Sequence, residues 1–132
     1  MKRITEVWLS YALEDFIMAQ KALEMEIYRR QTCLHAQQAV EKGLKALLLE
    51  KDTEIRRIHN LLELSSEFEA RGIHLPVEPS ELDFLNRVYR FRYPPDIGLL
   101  PQGQPTQEDA QKALRIARKV MDWIQQTLTE SR

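Results

Sequence analysis

The sequence predicts an all-α protein, an antiparallel up-and-down bundle of about five helices, and three observations point to it. Apolar side chains recur at three- and four-residue steps through most of the chain. No stretch sustains the every-second-residue alternation of a strand, and no Asn-Gly hairpin signal occurs. Capping residues, prolines and glycines fall between the periodic stretches rather than inside them, apart from Gly43. At 132 residues, 43% of them apolar and 30% charged, the chain fits one domain spanning 1–132. A chain of this size buries roughly two-thirds of its unfolded surface, enough for a core without staples.

The first helix is expected at 2–26, on the stripe Ile4, Trp8, Tyr11, Ala12, Ala19, Ala22 and Leu23. Asp15 borders its buried face and calls for a Lys or Arg across the bundle. The second, at 29–51, carries Cys33, Ala36, Val40, Gly43, Leu44, Leu47 and Leu48 inward, with Gln37, Glu41, Lys42 and Lys45 assigned to its outer face. Gly43 costs about 1 kcal/mol of helix propensity relative to Ala. Small residues at 36, 39, 43 and 46 would offset that by letting another helix approach. Asn60 followed by Glu63 has the character of a capping box for a third helix bearing Leu61, Leu64 and Phe68, which Arg71-Gly72 ends. Pro79-Ser80, with Ser80 as the cap, opens a fourth helix on Leu82, Leu85, Val88 and Tyr89. The segment 92–105 holds four of the six prolines and two of the four glycines, which predicts a long loop. Thr106 with Asp109 caps a last helix whose stripe runs from Ala110 to Leu128.

Composition excludes several classes of function. The single cysteine, Cys33, forms no intrachain disulfide and builds no zinc site alone, which fits a reducing cytoplasm. Glu6, Glu14 and Asp15 interrupt the run that a signal peptide would need, and no apolar run approaches a bilayer's roughly 20 residues. No membrane association is expected. With 19 basic and 20 acidic side chains, no global field draws in nucleic acid, so an anion site must be a local cluster. His35, His59 and His74 never fall at the spacing that places two imidazoles on one helical face. Neither a nucleophile elbow nor a phosphate loop occurs, and no metal or cofactor is expected.

One cluster stands out. Arg87, Tyr89, Arg90, Phe91, Arg92 and Tyr93 interleave guanidinium groups with aromatic rings just before the proline-rich loop. Guanidinium forks match phosphate oxygens bidentately and aromatic faces stack on unpaired bases, so the composition suits a nucleotide or single-stranded RNA. Arg87, Arg90, Arg92 and Tyr93 are the candidate contacts, with Arg29-Arg30 and Arg56-Arg57 as possible extensions of the patch. The competing reading places the aromatic rings in the core and the arginines in ion pairs with neighbouring acids.

The segment CLHAQQAVEKGLKALL, Cys33–Leu48, with the helix before it and the Arg-x-x-Tyr-Arg-x-Arg-Tyr-Pro stretch ending at Pro94, resembles the HEPN domain family, over about Trp8 to Trp123. The resemblance implies a helical bundle, usually a homodimer, commonly encoded beside a minimal nucleotidyltransferase and often acting in toxin–antitoxin or defence systems. Active HEPN ribonucleases share an Arg-x4–6-His motif after the fourth-helix region, whose arginine holds the scissile phosphate while histidine deprotonates the ribose 2′-hydroxyl. Here Arg92 takes the arginine position, but Ile97, Gly98 and Leu99 stand at the permitted histidine positions, and no histidine follows His74. Arg30 and His35 match the bare spacing within the second helix, where five residues turn the direction by 140°.

The resulting expectation is a cytoplasmic HEPN-like homodimer without catalytic residues of its own. It binds nucleotide or single-stranded RNA at the arginine cluster and pairs with a nucleotidyltransferase. Two alternatives stand beside it: a metal-independent endoribonuclease toxin with a displaced histidine, and a structural adaptor whose arginines only form surface pairs. The homodimer is also suggested by the small residues of the second helix together with exposed aromatics.

Overall fold

The computed structural model describes residues 1–51, 54, 60–90 and 104–130. Five helices follow one another: α1 (Arg3–Glu24), α2 (Arg29–Glu50), α3 (Leu61–Glu69), α4 (Pro79–Tyr89) and α5 (Gln107–Glu130), with no strand among the described residues. The order and type match the helical periodicity. Most of the proline-rich segment and Arg56-Arg57 lie outside the described residues.

α1 and α2 form an antiparallel hairpin through Met25–Tyr28. Glu26 takes the left-handed conformation there, at φ 58°, and its carbonyl accepts from Arg29 Nε at 3.3 Å. The far end of the hairpin is fastened by Glu50. Its Oε1 accepts from the Lys2 backbone N–H and from Thr5 Oγ1, both at 2.9 Å. The backbone donor, helped by the Thr5 hydroxyl, holds the Glu50 carboxyl below the usual carboxylate range.

α2 is the central helix and packs against each of the other four. That position overturns one expectation. Gln37, Glu41 and Lys45, assigned from periodicity to the outer face, are buried, and of that set only Lys42 is half-exposed. A helix enclosed on several sides has too narrow a wet face for all its polar residues. Lys45 and Glu41 answer their burial with an ion pair of 3.2 Å; Gln37 donates to Glu41, and the Trp8 ring lies 5.7 Å from the ammonium.

The small-residue stripe serves contacts within the chain. Ala36, Ala39 and Ala46 are fully buried, and a Cβ built on Gly43 would lie 2.8 Å from Ile124 Cδ1 and 3.0 Å from Met121 Sδ. Gly43 therefore sets the close approach of α5, and the stripe is not free for a second copy. The rest of the core comes from Leu44, Leu47, Leu48, Leu61, Leu64, Phe68, Leu82, Leu85 and the inward face of α5. Phe68 meets Trp123 edge to face, with centroids 6.3 Å apart.

Local signals explain the helix ends. Asn60 caps α3 by accepting from Leu62 N–H at 2.8 Å. Gly72, at φ 72°, ends it as Gly72 N–H donates to Glu69 O and Ile73 N–H to Phe68 O, a Schellman arrangement. Thr106 and Asp109 form a reciprocal capping box at the start of α5. At α4 the cap is Glu78, not Ser80. Pro79 takes the first helical position, where its missing N–H is no loss, and the Glu78 N–H donates to Glu81 Oε1 at 2.9 Å.

Candidate functional site

Leu82, Leu85 and Val88 anchor α4 to the core, which turns the opposite side of the helix to solvent. Arg87 and Arg90 lie on that side, three residues apart and exposed at the C-terminal end, while Tyr89 is half-buried. Arg87 Nη2 lies 3.0 Å from Asp83 Oδ2, one turn back on the same helix. An exposed pair of this kind is worth only about 0.3–0.5 kcal/mol, so phosphate oxygens can compete for the guanidinium. Arg92 and Tyr93, the other two candidates, lie outside the described residues, as does Phe91.

α5 adds cations along the first half of α4. Lys112 Nζ stands 4.3 Å from the Phe84 ring centre, and Lys119 Nζ lies 3.5 Å from Glu81 Oε2. Along α4 the described residues thus offer two exposed guanidinium groups near its C-terminal end and, from α5, an ammonium over the half-buried Phe84 ring. Exposed guanidinium groups of this kind can hold a phosphodiester. Asn86 keeps α4 in place, since its Nδ2 donates to Asn60 Oδ1 at 2.9 Å and its Oδ1 accepts from Leu61 N–H at 3.3 Å.

A second polar cluster sits between α1 and α2. Asp15 pairs with two partners at once, Lys42 Nζ at 2.7 Å from Oδ2 and His35 Nδ1 at 2.8 Å from Oδ1. The carboxylate thereby finds its cation on α2, with an imidazole beside it that the sequence did not assign to it. The signal was present but weak: an acid at the edge of one apolar stripe and a histidine on the next helix meet only once the hairpin's register is fixed. Arg30 and His35 both lie on the continuous helix α2, so their shared spacing creates no common site. His59 lies outside the described residues. Among the described residues no group of three or more His, Cys, Asp or Glu is placed to hold a metal ion. No helix among them is long and apolar enough to cross a membrane.

The model of the HEPN domain matches residues 5–127. The chain belongs to the HEPN domain family. Three solved structures share its fold. A Thermus thermophilus protein is 22% identical, with a TM-score of 0.69 over 96% of this HEPN chain and 98% of its own. An archaeal HEPN homologue is 25% identical, with a TM-score of 0.66 over 96% and 98%. A HEPN domain protein of Thermotoga maritima is 20% identical, with a TM-score of 0.66 over 92% and 97%. No curated protein sequence matches the chain.

Proposed function

We propose that this HEPN chain is a homodimeric, non-catalytic protein that binds nucleotide or single-stranded RNA at the C-terminal end of α4, and that it works with a minimal nucleotidyltransferase in a toxin–antitoxin or related module. The supporting observation is the exposed pair Arg87 and Arg90, one turn apart at the C-terminal end of α4. Arg92 and Tyr93 follow directly in sequence and extend the same chemistry. The missing histidine after Arg92 argues against the family's ribonuclease step at this place.

A fluorescein-labelled single-stranded RNA titrated with the protein tests the reading. Affinity is expected to fall steeply between 50 and 200 mM salt, as bound phosphates release counterions. Arg87→Ala with Arg90→Ala is expected to weaken binding at least tenfold and to flatten the salt dependence by about one unit of slope per lost phosphate contact. Absence of binding at low salt would leave the structural adaptor as the reading.

The endoribonuclease alternative retains one specific support. Asp15 at 2.8 Å orients His35 through Nδ1, which leaves Nε2 as the nitrogen that could accept a proton. RNA cleavage in the presence of chelator, abolished by His35→Ala, would establish that reading in place of the first.

A further inference from the structure

We propose that the outward face of α1 is the seam along which two copies of this chain pair, antiparallel, about a two-fold axis beside Met18. The proposal rests on the homodimer reading and adds to it the face, the direction and the register.

A second periodicity in α1 carries the argument. Ile4, Tyr11, Met18 and Met25 recur every seven residues, with Val7, Glu14, Lys21 and Tyr28 three residues after each. The seven-residue spacing is that of helices that lie against a partner, and it takes Ile4 and Tyr11, assigned from periodicity to the core stripe, out of the core. Thr5, Ala12, Ala19 and Ala22 are buried inside the chain, whereas the apolar members of the repeat stand in solvent. Tyr11 is 55% exposed, Met18 51% and Met25 61%. The helix already has its core, so this stripe has no task within one chain.

The structure extends the seam past the end of α1. Met18, Met25 and Tyr28 line one groove of about 290 Å³, which His35 closes from α2. At the other end, Val7 and Tyr11 share a concavity with Arg3, Glu6 and Ser10. A large ring at one end and an apolar groove at the other are complementary when the second copy runs in the opposite direction. Polar groups border the seam, with the Asp15–Lys42–His35 cluster on one side and Arg3 and Glu6 on the other.

Charge selects the direction. A two-fold axis parallel to α1 would set Glu14 against Glu14 and Lys21 against Lys21. An axis perpendicular to it beside Met18 opposes Glu14 to the partner's Lys21, Tyr11 to Met25, Val7 to Tyr28 and Met18 to itself. Each of these contacts then occurs twice, as an isologous interface demands. Lys21 now lies 3.7 Å from Glu24 on its own helix, but both side chains are about two-thirds exposed, so that contact yields readily to a better-shielded one.

Sedimentation equilibrium of the full chain, with far-UV circular dichroism as the folding control, reads the outcome. The wild type is expected at twice the 15.6 kDa of one chain. Tyr11→Glu and Met18→Glu should give the single-chain mass with unchanged helicity. Glu14→Lys and Lys21→Glu should each weaken the dimer at least tenfold, and their combination in one chain should restore it. Under mild oxidation with oxidised glutathione, a mixture of Glu14→Cys and Lys21→Cys chains should form a disulfide dimer that neither forms alone; Cys33 is buried and stays silent. A monomeric wild type would overturn the homodimer reading itself. A wild-type dimer indifferent to Tyr11→Glu and Met18→Glu would overturn the face alone, and Glu14→Cys cross-linking to itself would overturn the direction.

Discussion

Glu26 has the only left-handed backbone of a non-glycine residue among the described residues, and it does so at the turn that sets the α1–α2 hairpin. An L side chain in this region costs about 1–2 kcal/mol, while glycine adds about 0.5–1 kcal/mol of chain entropy to the cost of folding. Glu26→Gly is therefore expected to stabilise the protein by about 0.5–1 kcal/mol, measurable as a higher urea midpoint at unchanged slope. Cys33 poses a different question. Burial, reinforced by the nearby Asp109 charge, pushes its thiol from 9.0 up to about 12. The folded chain keeps the proton while the unfolded chain releases it near 9.0, so stability is undiminished below that pH and falls above it. The slope from this one group approaches about 1.4 kcal/mol per pH unit between roughly 9 and 12. Cys33→Ala leaves a small void at neutral pH. Denaturant titrations of the two proteins should show their difference narrowing as pH rises through that window; a constant difference would mean that the thiol ionises in place.

Elements dock as closely as their smallest residues permit, and Gly43 is where α5 comes nearest to α2. Ile124 and Met121 are buried and have little room to retreat. Gly43→Val is therefore expected to cost about 1–3 kcal/mol through overpacking, despite the helix propensity it gains. A thermal melt lowered by less than a few degrees would show that α5 can shift. The helices and most of their ends were legible in the sequence because their causes are local: Asn60 and Thr106 act within one turn, and Gly72 acts through its own φ. At α4 two neighbouring signals competed, and the proline at the first helical position fixed the cap one residue before itself rather than at Ser80. What could not be read was tertiary. The burial of Gln37, Glu41 and Lys45 depends on α2 becoming the central helix, and the Asp15–His35–Lys42 cluster depends on the hairpin's register.

For the molecule as a whole, the net charge of −1 leaves recognition to patches rather than to a long-range field. The positions of Arg87 and Arg90 on the wet side of α4 followed from the spacing of Leu82, Leu85 and Val88. The placement of Lys112 over Phe84 did not, because that ammonium arrives on a helix that starts only after the proline-rich segment. The proposed RNA binding and the proposed pairing of copies would draw on different kinds of surface, one with exposed arginines on α4, the other apolar on α1. The two variant sets should therefore separate: Met18→Glu is expected to change the sedimenting mass, and Arg87→Ala with Arg90→Ala the RNA affinity.

The enclosure of α2 by all its neighbours makes that rod the spindle of the architecture. Adding or deleting one residue near its middle would swivel everything beyond that point by about 100° and misalign every docked surface together. Length changes should accordingly be tolerated in the connecting segments and strongly selected against along Ala36–Leu48.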